Sequence, residues 1–212
     1  KAKIHFIQNK ALELSMFLSI PATLALMISS KEIVSALFGY GSFNEESVVN
    51  SAKALYFFAI GLPAFALIKV FSSFFFANHD TKTPFYISLI SVALNIIISL
   101  YYFKNVGFII IPIATSISSW FNSAVLFLFL KRQKLFEFSE IFFIRFFKII
   151  FASILMGFIF NYLILFFENK LVYNYDFKLF YLLFTILLGL MFYLIISFFI
   201  KAFNSKDLKL KY

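Results

Sequence analysis

Apolar runs of about 20 residues recur along the whole chain, each long enough to cross roughly 30 Å of hydrocarbon. No water reaches a backbone amide at that depth, so such a segment must satisfy its own hydrogen bonds, as a helix does or as a strand does in a closed barrel. Barrel strands alternate apolar and polar residues, whereas these runs are apolar on every face. The fold class that follows is all-α: a polytopic transmembrane helix bundle of about six helices. Composition agrees, with 62% hydrophobic residues, 14% charged residues and a mean hydropathy of +0.93, where soluble domains carry about a quarter charged.

The expected spans cover about residues 12–30, the apolar helix that opens residues 54–84, then 85–103, 107–130, 149–167 and 177–200. The first carries Pro21, where a helix bends for want of one backbone hydrogen bond, and Glu13, read as interfacial. Lys31 and Glu32 lead into an apolar turn and then into Leu37-Phe38-Gly39-Tyr40-Gly41-Ser42-Phe43, whose glycines suit turn geometry. Gly61-Leu62-Pro63 predicts a kink that turns backbone carbonyls toward neighbouring helices or a cavity. Asn78 to Pro84 reads as a short polar turn. A basic linker from Lys131 through Lys148 separates two spans of Phe, Leu, Ile and Tyr, which look featureless and lipid-facing. The expected division is 1–134 and 135–212, and a chain opening on Lys1 reads as a piece lacking an N-terminal part.

Several function classes are disfavoured. There is no cysteine and therefore no disulfide or thiolate site, and the two histidines, His5 and His79, are not spaced as metal ligands. No paired acids, nucleophile elbow or phosphate-cradling glycine loop is present. Neither catalytic nor metal-binding residues are predicted, and the expectation is that the protein is not an enzyme. The net charge of +9 is explained by topology and by attraction to anionic lipid rather than by nucleic acid. Thirteen basic residues, from Lys1, Lys3 and Lys10 through the Lys131 cluster to Lys211, fall on one side of the six spans, against Lys53, Lys104, Lys170 and Lys178 on the other. The positive-inside rule then puts both termini in the cytoplasm.

Two features carry chemistry. Lys69 lies inside an apolar helix, about nine residues or roughly 13 Å from the turn at Asn78. Either its stem snorkels to the headgroups, or it faces a watered cavity and binds an anion such as a phosphate. Asn95 and Ser99 share a helical face, and with Thr115 they form a candidate oxygen-lined cation site, to which a helix unwound at Pro112 would add carbonyls. The alternative is ordinary packing by small polar residues, which Ser116, Ser118, Ser119 and Asn122 also suit.

In order and spacing, Leu37 to Phe43, Ala54-Leu55 to Gly61-Leu62, Lys69-Val70, Asp80-Thr81-Lys82-Thr83-Pro84, and Ala114-Thr115-Ser116 to Trp120-Phe121-Asn122 resemble the C-terminal half of the MurJ/MviN lipid II flippases. The resemblance implies the last part of a fourteen-helix transporter similar to the multidrug and polysaccharide exporters. Four spans would complete its second lobe and two would form a groove for a polyprenyl tail. It implies a bacterial inner-membrane protein that moves lipid II across the membrane by alternating access, with its N-terminal half and membrane lipids as further partners. It places Lys69 at a cavity lysine facing the pyrophosphate, and Asn95 and Thr115 at a site for a coupling sodium ion. Ser99 stands where those members carry aspartate, and the family's cavity arginines belong to helices outside this chain. A multidrug or polysaccharide exporter of the same fold, and a membrane scaffold that transports nothing, are the alternatives.

Overall fold

The computed structural model describes residues 2–202, so Lys1, Lys206, Lys209 and Lys211 of the charge count lie outside the described residues. The elements are helices: α1 (Ala2–Ile28), α2 (Ser30–Phe38), α3 (Glu45–Ala77), α4 (Lys82–Val106), α5 (Ile110–Arg132), α6 (Glu140–Phe166), α7 (Glu168–Leu171) and α8 (Lys178–Phe199). Among the described residues, five apolar stretches have the length and composition of membrane spans. The third, Lys82–Arg132, has 51 residues and would be about 75 Å long if straight, more than twice the hydrocarbon thickness. It is a hairpin instead: Gly107 takes φ +74, a left-handed value that favours glycine, one 3₁₀ turn follows, and α4 and α5 pack on each other. This stretch therefore supplies two of the expected spans.

The chain divides into two compact units. The first joins the residues up to Ser19 with Lys53–Ser139. Its core gathers Phe71, Phe74 and Phe75 of α3, Leu126 and Leu130 of α5, and Phe136 of the segment after α5, all buried. Phe74 and Phe136 stack with ring centroids 5.7 Å apart. The basic linker is thus a fixed strap. Gln8 of α1 donates to Leu135 O at 3.1 Å, Asn9 donates to Glu137 O at 2.8 Å, and Asn9 Oδ1 accepts from Ser139 N–H at 3.0 Å. Glu13, expected at the interface, is buried and paired with Lys10 at 2.7 Å.

The second unit joins Ile20–Ala52 with the residues from Glu140 onward. Two expectations are corrected here. The segment after Lys31 is a helix, α2, rather than a turn. The last two long helices are not featureless: α6 and α8 meet along a buried seam that includes Ser153, Thr185, Tyr193 and Ser197. At Gly189 a Cβ would come within 2.8 Å of the Phe160 ring, so glycine lets α8 approach α6 there. Their other faces, Phe158 and Tyr162 among them, are apolar and exposed.

Lys178, the first residue of α8, is 1% exposed. A cation is disfavoured at a helix N-terminus, and the surroundings offset this. Its Nζ donates to Gly39 O and Tyr173 O, both at 2.7 Å, and sits 4.2 Å from the Tyr40 ring centroid and 4.7 Å from that of Tyr173. The Leu37 to Phe43 loop is therefore tied to the start of α8. Tyr173 OH adds a bond to Phe43 O at 2.8 Å. Gly39 is required sterically, since a Cβ there would meet Ser35 O at 2.5 Å and the Tyr173 ring at 3.0 Å.

Candidate functional site

Lys69 sits on the exposed face of α3, in line with Phe58, Ser73 and Phe76, while Ala59, Ala64, Phe71 and Phe75 bury the opposite face. It lies eight residues before the helix end at Ala77, about 12 Å along the axis. The helix that carries it is braced against α5. Pro63 has no N–H to offer Ala59 O one turn before it, and α5 donates to carbonyls on either side of that one. Ser116 Oγ reaches Phe57 O at 2.6 Å and Trp120 Nε1 reaches Ile60 O at 3.1 Å. Gly61 permits the approach, because a Cβ would lie 2.8 Å from Ser116 Oγ and 3.2 Å from its Cα. The α3 helix itself is unbroken through Pro63.

The turn after α3 fixes where the helix ends. Asp80 N–H bonds Phe75 O at 3.1 Å and His79 N–H bonds Phe76 O at 3.0 Å, with His79 at φ +60. This is the paired-bond stop usually made with glycine. Asp80 Oδ1 then accepts from Thr83 N–H at 3.0 Å at the start of α4. These bonds from Thr83, side chain first and backbone second, hold the Asp80 carboxyl below its ordinary pKa.

The structure brings together two of the three candidate cation ligands. Asn95 Nδ2 donates to Thr115 Oγ1 at 3.0 Å and lies 3.4 Å from Ser118 Oγ. One register along, Asn122 Nδ2 lies 3.4 Å from Ser88 Oγ. Both pairings obey the same antiparallel register, which places Ser99 opposite the apolar Ile111. Ser99 Oγ is buried with no hydrogen-bond partner among the described residues. In this arrangement Asn95 turns its N–H rather than its oxygen to Thr115, Thr115 Oγ1 donates its proton to Ile111 O at 2.8 Å, and no carboxylate joins them, so what the geometry shows is interhelical hydrogen bonding. Pro112 lies in the first turn of an unbroken α5, where proline is tolerated, so the unwinding expected there is absent. Read from sequence, Ser118 is only a packing residue and Ser88 is not singled out. Ser88 precedes Asn95 by seven residues, two turns on the same face, and that spacing was the available signal.

Comparison with known proteins decides the family. The model of the family described as "Lipid II flippase MurJ" matches residues 1–183. The chain belongs to this family. Its relatives include proteins described as "Probable lipid II flippase MurJ" from Rickettsia prowazekii, 38% identical over 60% of this chain and 25% of that protein, and from Rhizobium meliloti, 40% identical over 57% of this chain and 23% of that protein. That of Thermotoga maritima is 36% identical over 68% of this chain and 28% of its own length. The chain thus spans about a quarter of the length of the curated relatives it matches. A solved structure, "Lipid II flippase MurJ, inward closed conformation", superposes with a TM-score of 0.75 and 27% identity over 93% of this chain and 39% of that one.

Proposed function

We propose that this chain is the C-terminal part of a bacterial inner-membrane flippase that carries lipid II from the cytoplasmic to the periplasmic leaflet. The observation that carries the reading is Lys69: an ammonium left exposed well inside an apolar helix, on a face with no carboxylate. An ionisable group at such depth faces water or an anionic partner, and the pyrophosphate of a polyprenyl-linked substrate supplies the matching charge. Lysine acts as a point charge that follows a moving phosphate, without the fixed fork of arginine. The brace of Ser116 and Trp120 keeps α3 from yielding when that charge is bound. Alternating access by two lobes rocking about a central cavity would then move the head group. The polyprenyl tail would stay in lipid along the exposed apolar faces of α6 and α8.

The charge asymmetry supports both termini in the cytoplasm, with thirteen basic residues on that side. Counting Lys31, at the start of α2, the other side has five. No covalent step is involved, so the protein works as a transporter rather than an enzyme. Nothing in this mechanism requires a cation at Asn95 and Thr115. The rest of the flippase, outside this chain, would complete the cavity. The test is complementation of flippase-depleted cells by the full-length protein carrying Lys69→Ala. Failure to grow at normal expression is expected. Full growth would overturn the role of Lys69 and return the multidrug-exporter and scaffold readings to consideration.

A further inference from the structure

Beyond the substrate path, the second unit holds a cavity of about 170 Å³ with an unusual lining. A single water needs roughly 10–15 Å³, so there is room for a small head group. Glu32 of α2, Glu45 at the start of α3 and Glu168 of α7 line it, with Lys31 at the rim. Lys31 lies 3.9 Å from Glu45, both side chains being more than half exposed, so this pair contributes little. Glu32 and Glu168 remain. Burial, together with the like charge of Glu168, raises the Glu32 carboxyl above its ordinary pKa, partly opposed by its own backbone and by Lys31. A second observation points to a missing partner. Ser35, one turn from Glu32 on α2, lines the same cavity at 3% exposure, and its Oγ has no hydrogen-bond partner among the described residues.

The chemistry of the lining narrows the occupant. Two carboxylates and an unpartnered hydroxyl, those of Glu32, Glu168 and Ser35, suit a ligand that presents several N–H donors. Ile164, Leu165 and Val172 form an apolar wall. Leu165 continues into Tyr162 and Phe158, spaced three and four residues apart along α6 and all exposed, which is a track for an acyl chain. The helix gives way to charged residues between Phe166 and Glu168, as at a membrane–water boundary. We propose that this cavity binds the head group of an ethanolamine phospholipid. Its primary ammonium sits between Glu32 and Glu168 within reach of Ser35 Oγ, its phosphate lies at Lys31, and its chain lies along α6. A choline head group matches the phosphate but offers no N–H donor.

The test is lipid retention by the purified full chain in native mass spectrometry, titrated with phosphatidylethanolamine or with phosphatidylcholine of identical acyl chains. It reads binding and not transport, so its failure leaves the flippase reading untouched. The ethanolamine lipid is expected to be retained about tenfold better, the size of one charge-assisted hydrogen bond. Glu32→Gln combined with Glu168→Gln should bring the two lipids within about twofold of each other, whereas Glu46→Gln, exposed and outside the cavity, should preserve the preference. Lys31→Gln should weaken both lipids alike. If the double variant fails to fold, competition on the unaltered chain decides: soluble phosphoethanolamine should release the bound lipid and phosphocholine should not. Equal retention of the two lipids, a preference unchanged in the double variant, or release by a lysine-containing peptide but not by phosphoethanolamine would each overturn the proposal.

Discussion

Lys69 and Lys178 both belong to apolar helices, and their surroundings treat the charge in opposite ways. Lys178 is enclosed: two carbonyls accept its hydrogen bonds at 2.7 Å and two tyrosine rings flank it. Lys69 is left exposed on the outer face of α3. Burying an ammonium is costly unless the fold itself supplies compensating groups. Where the chain supplies them, the lysine is a structural tie whose capacity is spent. Where it leaves them to solvent or to a ligand, the lysine is available for function. A lysine inside a membrane helix is thus informative only after its partners are counted.

The sharpest break of this contrast comes from removing each charge. Lys69→Ala should leave the thermal midpoint of the purified full-length protein nearly unchanged, within about 0.5 kcal/mol. It should lower lipid II transport in proteoliposomes by roughly ten- to a hundredfold, the worth of a charge-assisted contact. Lys178→Met should do the reverse. It orphans Gly39 O and Tyr173 O and frees the Leu37 to Phe43 loop, at a cost of about 3 kcal/mol, measurable as a large drop in midpoint. If Lys178→Met abolished transport at an unchanged midpoint, the two lysines would not differ as argued.

The brace behind Lys69 sharpens the same point. Gly61→Val pushes α3 away from Ser116 and should cost about 1–3 kcal/mol by overpacking. Transport should fall with it, because the helix presenting Lys69 shifts. Gly61→Val with full activity would mean that Lys69 needs no rigid carrier.

Much of this was legible in the sequence, and the limits have a common cause. Apolar runs of sufficient length revealed the spans, their break between residues 103 and 107 marked the hairpin, and the turn expected over Asn78 to Pro84 is found over Asn78 to Thr81, where local bonds close it, while Lys82 to Pro84 already belong to α4. The Asn95–Thr115 pairing was within reach because α4 and α5 are neighbours in the chain, whereas Ser99 was grouped with them by spacing on α4 alone and found Ile111 opposite. The Lys178 enclosure was invisible: its carbonyl partner Gly39 is 139 residues away, and nothing about Tyr40 or Tyr173 announces an aromatic contact. The buried seam of α6 and α8 escaped for a different reason. Both helices are apolar over most of their surface, and only a few scattered polar residues, Ser153, Thr185 and Ser197, mark the face that packs.

The α4–α5 seam offers a smaller test of the contrast between satisfied and available polar groups. Asn95→Leu removes one interhelical donor and leaves Thr115 bonded to Ile111 O, so the loss should be only about 0.6 kcal/mol. Sodium should not alter the midpoint of either form. A sodium-dependent midpoint that disappears in Asn95→Leu would restore the cation site.

The smallest effect lies at the end of the helix that carries Lys69. Asp80 caps α4 through Thr83 N–H, and its folded pKa lies below the ordinary 3.8. A depressed carboxylate contributes stability that is complete above the unfolded value and is lost as pH falls through the folded one. At neutral pH, Asp80→Ala should therefore cost about 0.5 kcal/mol, the low end for a lost cap because the site is exposed to solvent. Below about pH 3.8 the gap between the two midpoints should close progressively. Transport by Asp80→Ala should fall only slightly, since the His79 stop persists without it. A gap between the midpoints that stays constant from pH 7 to pH 3 would show that the Asp80 charge contributes nothing to that turn.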